Sequence, residues 1–290
     1  MKKLLSLILI AGLGLNANAQ DKKFQVGLVL GPTFNWTKIQ TTKIERNGIG
    51  NGFTIGVGGN YLFNENIGLA SGLQFDLESF QLNYGSDNNT AFNDVFYAYS
   101  DTDIHKYDDK DGIKDIPDSS AAFLLHTRKF RAKYVTLPIF LKFQTNMIGQ
   151  FKYYGKFGLR TSFLAGVRMD DEGYDAKYMR NNDDPAQSDF YTTTPLTSLK
   201  VENMKPDAIK KGLAQVRTAI GIYGGAEWNF TGNTFLYGEI GFNYGITPAL
   251  YQKSSHLVER TGEPGDYSYS QLDIKNNPQH IIELKIGLLF

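Results

Sequence analysis

The sequence predicts an all-β protein, an eight-stranded antiparallel up-and-down transmembrane β-barrel with long extracellular loops. Three observations carry that prediction. Apolar and polar residues alternate at period two in eight separate stretches, as they do in strands whose successive side chains point to opposite faces. Tight turns and longer polar segments connect those stretches in strict alternation. The composition, with 30 Gly, 17 Tyr and 20 Phe in 290 residues, suits a barrel wall. A mean hydropathy of −0.32 does not argue against a membrane location, because barrel strands show the bilayer only alternate residues.

Met1-Lys2-Lys3, the apolar run Leu4–Leu15 and Ala17-Asn18-Ala19 form the basic start, short greasy centre and A-x-A site of a secretory signal. A run this short, rising about 1.5 Å per residue, cannot cross a hydrocarbon core of about 30 Å. Residues 1–19 are therefore expected to be a signal peptide, cleaved to leave Gln20 first, and residues 20–290 a single barrel domain. The 30 basic and 30 acidic side chains cancel, so nothing points to a nucleic-acid partner. The absence of cysteine excludes a disulfide framework, a thiolate metal site, a cysteine nucleophile and a lipidated N-terminal cysteine.

In the first strand Phe24, Val26, Leu28, Leu30, Phe34 and Trp36 alternate with Gln25, Gly27, Gly31, Thr33 and Asn35, with Trp36 near one rim of the membrane. After a polar segment at about 37–51, the second strand sets Phe53, Ile55, Val57, Tyr61 and Phe63 against Thr54, Gly56, Gly58 and Asn60. The turn Asn64-Glu65-Asn66 is as tight as hairpin chemistry prefers. The third strand places Ile67, Leu69, Leu73, Phe75 and Leu77 opposite Gly68, Ala70, Gly72, Gln74, Asp76 and Glu78. Residues 84–130 lack sustained periodicity and read as a long loop.

The fourth strand, about 131–144, directs Val135, Leu137, Ile139, Leu141 and Phe143 outward, opposite Tyr134, Thr136, Pro138, Phe140 and Lys142. Pro138 predicts a bulge or locally broken pairing, because proline brings no donor to a ladder. A short turn leads to the fifth strand, with Phe151, Tyr153, Phe157, Leu159, Phe163 and Val167 against Lys152, Lys156, Gly158, Arg160, Ser162 and Arg168. Residues 169–211 read as a second long loop. The sixth strand sets Val216, Ile220, Ile222, Trp228 and Phe230 against Gln215, Arg217, Gly221, Glu227 and Asn229. After the turn Thr231-Gly232-Asn233, the seventh sets Leu236, Ile240, Phe242, Tyr244 and Ile246 against Tyr237, Glu239, Gly241 and Asn243. Residues 247–279 form the third long loop, and the chain ends on the eighth strand, His280–Phe290.

Connections after odd-numbered strands are long and those after even-numbered strands tight, so both termini lie at the tight-turn end. Short periplasmic turns and long extracellular loops are the asymmetry of outer-membrane barrels. Open sheet edges in hydrocarbon cost several kcal/mol per unpaired backbone group, so the first strand is expected to pair with the last.

The inward set contains Asp76, Glu78, Lys142, Lys152, Lys156, Arg160, Arg168, Arg217, Glu227, Glu239, Glu283 and Lys285. An eight-stranded lumen is only wide enough to be filled by side chains, so these are expected to form a charge-paired plug, with Glu227 and Glu239 meeting Lys or Arg near the periplasmic end. A conducting pore is the alternative. The four histidines, His105, His126, His256 and His280, are scattered, and no H-E-x-x-H or G-x-S-x-G motif occurs. No catalytic residue and no cofactor is expected. Asp109, Asp111 and Asp115 around Gly112 resemble part of a calcium loop, but Tyr107 stands where the first acidic ligand belongs, and a solvated acidic loop is the simpler reading.

A chain that ends on the aromatic of an alternating strand resembles the C-terminal signal of bacterial outer-membrane barrels, which implies that the barrel-assembly machinery reads Phe290. Ala17-Asn18-Ala19-Gln20, Val26-Gly27-Leu28-Val29-Leu30-Gly31 and Tyr134-Val135-Thr136-Leu137-Pro138-Ile139-Phe140-Leu141-Lys142-Phe143 resemble the PorT-like outer-membrane β-barrel family of Bacteroidetes. In that family a Tyr-x-x-apolar-Pro-apolar-x-x-Lys strand recurs, and Tyr134, Leu137, Pro138 and Lys142 occupy it here. The resemblance implies the fold and an outer-membrane location; the family's namesake is linked to type IX secretion. The expected role is a non-enzymatic surface scaffold, bathed in outer-membrane lipid, whose loops contact a protein partner or ligand. A transport component, either a secretion accessory or a narrow channel, and a barrel enzyme are the rivals.

Overall fold

Eight long strands carry the architecture: β1 (Phe24–Thr37), β3 (Gly50–Leu62), β4 (Ile67–Tyr84), β8 (Ser119–Gln144), β9 (Phe151–Met179), β12 (Val216–Thr231), β13 (Thr234–Gly245) and β16 (Gln279–Leu289). The computed structural model describes residues 23–41, 43–84, 94–100, 103–114, 116, 119–181, 183–184, 188–232, 234–263 and 265–290. The signal segment, Asp115 and Asn233 lie outside the described residues. Each long strand pairs antiparallel with a neighbour on both sides, in the order β1-β3-β4-β8-β9-β12-β13-β16. The ring closes where β16 returns to β1, in register from Gly27↔Leu289 to Thr37↔Gln279. Beyond the last registered pair, the Phe290 and Val26 backbones exchange both hydrogen bonds, at 2.8 and 3.3 Å.

The alternation sorts side chains by chemistry. Leu28, Ile55, Phe75, Ile139, Phe157, Ile222, Ile240 and Ile286 are exposed on the outer wall, while Thr54, Asp76, Lys142, Arg160, Glu227, Asn243 and Glu283 are buried within. Aromatic rings gather at the short-turn end, where Tyr61 packs on Phe63 and Trp228 on Phe230 at centroid distances of 5.7 and 5.5 Å. Trp36 stacks on Phe242 toward the other end, 6.1 Å away. Two such girdles are what amphipathic rings form at the two faces of a bilayer. Glycine serves this wall at two kinds of place. Gly232 turns β12 into β13 with φ +50°, a region open to it because it lacks a Cβ. Gly241 faces inward opposite Tyr223, and a Cβ there would overlap the Tyr223 ring, which lies flat on the wall.

At the long-loop end β4, β8 and β9 continue far past the apolar belt. Here the structure departs from the sequence reading. Residues 119–130 and 169–179, read as loop, belong to β8 and β9, which stay paired from Ser119↔Met179 to Gln144↔Tyr154. Shorter strands build on that ribbon: β2 (Ile44–Arg46) on β4, β5 (Val95–Ala98) on β8, β10 (Asp189–Thr192) and β11 (Ser198–Met204) on β9, and the hairpin β14 (Lys253–Glu263) and β15 (Asp266–Asp273) on β5. A two-stranded β6 (Tyr107–Asp108) and β7 (Gly112–Ile113) and a short helix, α1 (Asp207–Gly212), complete the unit.

This end has two apolar cores. One fills the top of the tube with Phe80, Leu82, Tyr84, Tyr97, Phe123, Leu125, Met169, Ile209 and Leu213. The other lies on the opposite face of the β10-β9-β8-β5-β14-β15 sheet and holds Phe96, Ala122, Ala176, Tyr178, Phe190 and Val258. Phe96 stacks on Phe190 at 4.9 Å, and the Tyr269 hydroxyl on β15 donates to Asp189 on β10, so side chains draw the two edges of the sheet together.

Local geometry gives two smaller corrections, at residues 167–168 and at Gln215, and bears out the locally broken pairing expected at Pro138. Val167 points inward and Arg168 outward, the reverse of the sequence reading, because a bulge opposite Lys133 and Tyr134 inserts one residue into β9; one extra residue flips every side chain beyond it. Pro138 interrupts the β4–β8 ladder between Ser71↔Ile139 and Gln74↔Thr136 without shifting its register, and its carbonyl accepts the Ser71 hydroxyl at 2.9 Å. Gln215 precedes β12 and is exposed rather than inward.

The outer wall makes a direct prediction. Ile240→Arg is expected to lower unfolding stability in lipid by about 2–4 kcal/mol, whereas Gln215→Arg costs well under 1 kcal/mol. Urea titration of the folded, heat-modifiable band checks it, and equal tolerance at the two positions would contradict the assigned faces.

Candidate functional site

The lumen gathers charged residues from six strands into one network. Near the short-turn end the Lys142 ammonium pairs with Glu227, and Lys156 with Glu239 at 2.6 Å. Tyr154 stands between them: both ammonium groups lie over its ring, at 4.8 and 4.9 Å, and its hydroxyl donates to Glu239 at 2.9 Å. Lys152 has no carboxylate partner among the described residues and lies 5.5 Å over the Phe235 ring.

The middle of the lumen is organised by Arg160 and Glu283. Arg160 donates to Asp76 and lies 3.3 Å from Glu283. Glu283 also receives Lys285 at 2.8 Å, the Tyr223 hydroxyl and the Asn243 amide at 3.1 Å. Asp76 accepts the hydroxyls of Thr54, at 2.6 Å, and Thr136. Above this, Arg217 pairs with Glu78 at 2.9 Å and covers the Tyr134 ring at 3.7 Å. Asp76, Glu78, Lys142, Lys156, Arg160, Arg217, Glu227, Glu239, Glu283 and Lys285 are thus all in ion pairs, and a cavity of about 40 Å³ lies among Tyr154, Lys156, Tyr223 and Glu239. That is room for ordered water.

One further pair lies higher, where the sequence reading saw only loops. Arg128 on β8 and Asp171 on β9 form a two-pronged bridge, both contacts 2.8 Å, and Asp171 also accepts the Tyr97 hydroxyl at 2.9 Å. Burial, with the Asp171 charge second, pushes the Tyr97 phenol well above its ordinary range, so it remains a donor. The available signal was opposite charges within two apolar, aromatic-rich stretches, which has no fixed spacing.

The calcium-like segment forms the β6–β7 turn. Asp108 accepts the backbone N–H groups of Lys110 and Asp111, Asp109 accepts that of Gln271 at 2.8 Å, and Asp111 pairs with Lys114 at 2.7 Å. Among the described residues no group of three or more His, Asp or Glu is placed to hold a metal ion. The histidines are likewise apart, and His256 is buried in β14 with Nδ1 3.2 Å from the Ser255 hydroxyl.

A family model described as outer membrane protein beta-barrel domain matches residues 18–251. The chain belongs to this family. Its members' location and the side on which their turns are short then fix the orientation: the barrel sits in the outer membrane, and the two-core unit is extracellular. The fold is similar to that of Neisserial surface protein A, at 11% identity over 92% of this chain and 96% of that one, with a TM-score of 0.31. It is similar also to Ail, the attachment invasion locus protein of Yersinia pestis, at 11% identity over 92% and 99%, TM-score 0.32. OprG from Pseudomonas aeruginosa aligns at 9% identity over 92% and 95%, TM-score 0.40. No curated protein matches the chain.

Two predictions come from these charges. Lys142→Met leaves Glu227 buried without a partner and is expected to cost about 3–5 kcal/mol, most of it recovered in the Lys142→Met/Glu227→Leu double variant; urea unfolding in detergent reads both. The second concerns pH. Burial, then the charges of Lys106 and Lys211, lower the His256 pKa from 6.5 to about 4. The unfolded chain therefore binds the extra proton first, and the stability this group contributes above about pH 6.5 is lost as pH falls toward about 4. Hydrogen-exchange protection factors in β14 and β15, corrected for the intrinsic pH dependence of exchange, are expected to fall across that window, and His256→Gln to flatten the response.

Proposed function

We propose that this protein is a non-enzymatic outer-membrane scaffold, in which the barrel is the anchor and the extracellular unit binds a protein partner or ligand. The observation that supports this best is the pairing of a filled lumen with an ordered top. A network of ion pairs blocks the tube, an apolar core seals it above, and β8 and β9 run without a break from the membrane into the exposed unit. Binding surfaces sit well on loops and strands held by a rigid frame. Met179, Tyr191 and Leu196 offer large exposed apolar side chains there.

The reading includes export through a cleaved signal at residues 1–19, recognition of Phe290 by the barrel-assembly machinery, and a surround of outer-membrane lipid. The Tyr134, Leu137, Pro138 and Lys142 strand favours a second, more specific reading, a PorT-like accessory to protein secretion. Tyr134 and Lys142 are fully buried partners of Arg217 and Glu227, so the motif also has a purely structural use.

Two experiments separate the readings. Reconstituted in planar bilayers, the protein is expected to give no ion conductance; stepwise currents would overturn the filled-lumen account. Crosslinking in intact membranes is expected to trap a partner through residues 179–204, whereas loss of secreted proteins on deletion, with no such partner, would favour the secretion accessory.

A further inference from the structure

The outer wall carries a concave place. A groove of about 550 Å³ crosses four adjacent strands, β1, β3, β4 and β8, at the upper edge of the apolar belt. The registers order its lining into two rows. Phe53 and Leu77 lead to Lys133 in one row; in the next, Phe34 leads through Asn51 and Ser79 to Arg131. The row below, Leu30, Ile55, Phe75 and Val135, is wholly apolar. One end of the groove therefore continues the surface that acyl chains cover, and the other end is cationic.

The cationic end is only partly neutralised by the chain's own carboxylates. Arg131 stands directly opposite Arg168 on β9, and like charges so placed repel. Arg131 has Asp170 at 2.6 Å, but Lys133 and Arg168 have no carboxylate partner among the described residues. Guanidinium and ammonium groups at headgroup height, beside a greasy trough, match a phosphate attached to acyl chains. A soluble anion would use the charges but not the trough, and a soluble protein would have to displace lipid to reach it.

We propose that this groove binds a phosphate-bearing lipid of the outer leaflet, with its phosphate on Arg131 and Lys133 and its chains along Phe34, Phe53 and Leu77. The site is separate from the extracellular binding surface and does not depend on it. It gives the barrel a fixed lipid neighbour on one side of its wall.

The test uses the full-length protein in detergent, with bis-phosphorylated lipid A, the same lipid without phosphates, and inorganic phosphate as probes in native mass spectrometry. The phosphorylated lipid is expected to remain bound, and Arg131→Gln/Lys133→Gln to weaken it at least tenfold, while Lys253→Gln leaves it unchanged. A photo-crosslinking residue at Asn51, in the otherwise unaltered chain, is expected to label the phosphorylated lipid, and one at Ile222 on the far wall not to. Equal retention of the lipid without phosphates, full displacement by inorganic phosphate, unchanged binding in the double variant, or equal labelling from Asn51 and Ile222 would each overturn the proposal.

Discussion

Every backbone N–H and C=O that enters hydrocarbon must find its partner within the chain, and the closure of β16 onto β1 is what meets that demand here. The pairing of Phe290 with Val26 carries the seam to the last residue of the sequence. Once the sheet is a ring, each side chain has only two destinations, lipid or lumen, and a single bulge is enough to exchange them. Arg168 illustrates the rule: it lies outside because one residue in β9 lies unpaired below it.

A ring of eight strands leaves little space inside, and that confinement explains the lumen's chemistry. Charges removed from water cost several kcal/mol each unless partnered, and Arg160 answers with Asp76 and Glu283, Lys142 with Glu227, and Arg217 with Glu78. Flat tyrosine rings make the arrangement compact. Tyr154 serves two ammonium groups, and Tyr223 lies on Gly241 while its hydroxyl reaches Glu283. Above Arg217 the same tube turns apolar, and the Arg128–Asp171 bridge is a buried ion pair set within that upper core. The extracellular unit is thus a continuation of the barrel by other packing, and its surface inherits the stiffness of β8 and β9.

How much of this is legible in the sequence depends on whether one face of a strand meets a different medium from the other. Along the membrane-spanning stretches it does, and period two gives strand, phase and neighbour order together. In the extracellular unit it does not. Val95, Phe96, Tyr97 and Ala98 are all buried, because β5 has a core on each face, so no alternation marks it as a strand. The upper parts of β8 and β9 hide in the same way. Residues that contact each other across long sequence gaps, such as Arg128 with Asp171 or Tyr269 with Asp189, leave no spacing to read. The lumen charges were visible as an inward set, while their individual partners required the register.

The seam between first and last strands is open to a direct measurement, since the chain has no cysteine of its own. Leu28 and Leu288 are registered neighbours across it, and Cα atoms about 5.5 Å apart in such a pair suit a disulfide. In Leu28→Cys/Leu288→Cys, mild oxidation in isolated outer membranes is predicted to join the two termini in most molecules, and in Leu28→Cys/Leu284→Cys in almost none. Absence of the bond in the registered pair, or equal yields in both, would contradict a closed barrel.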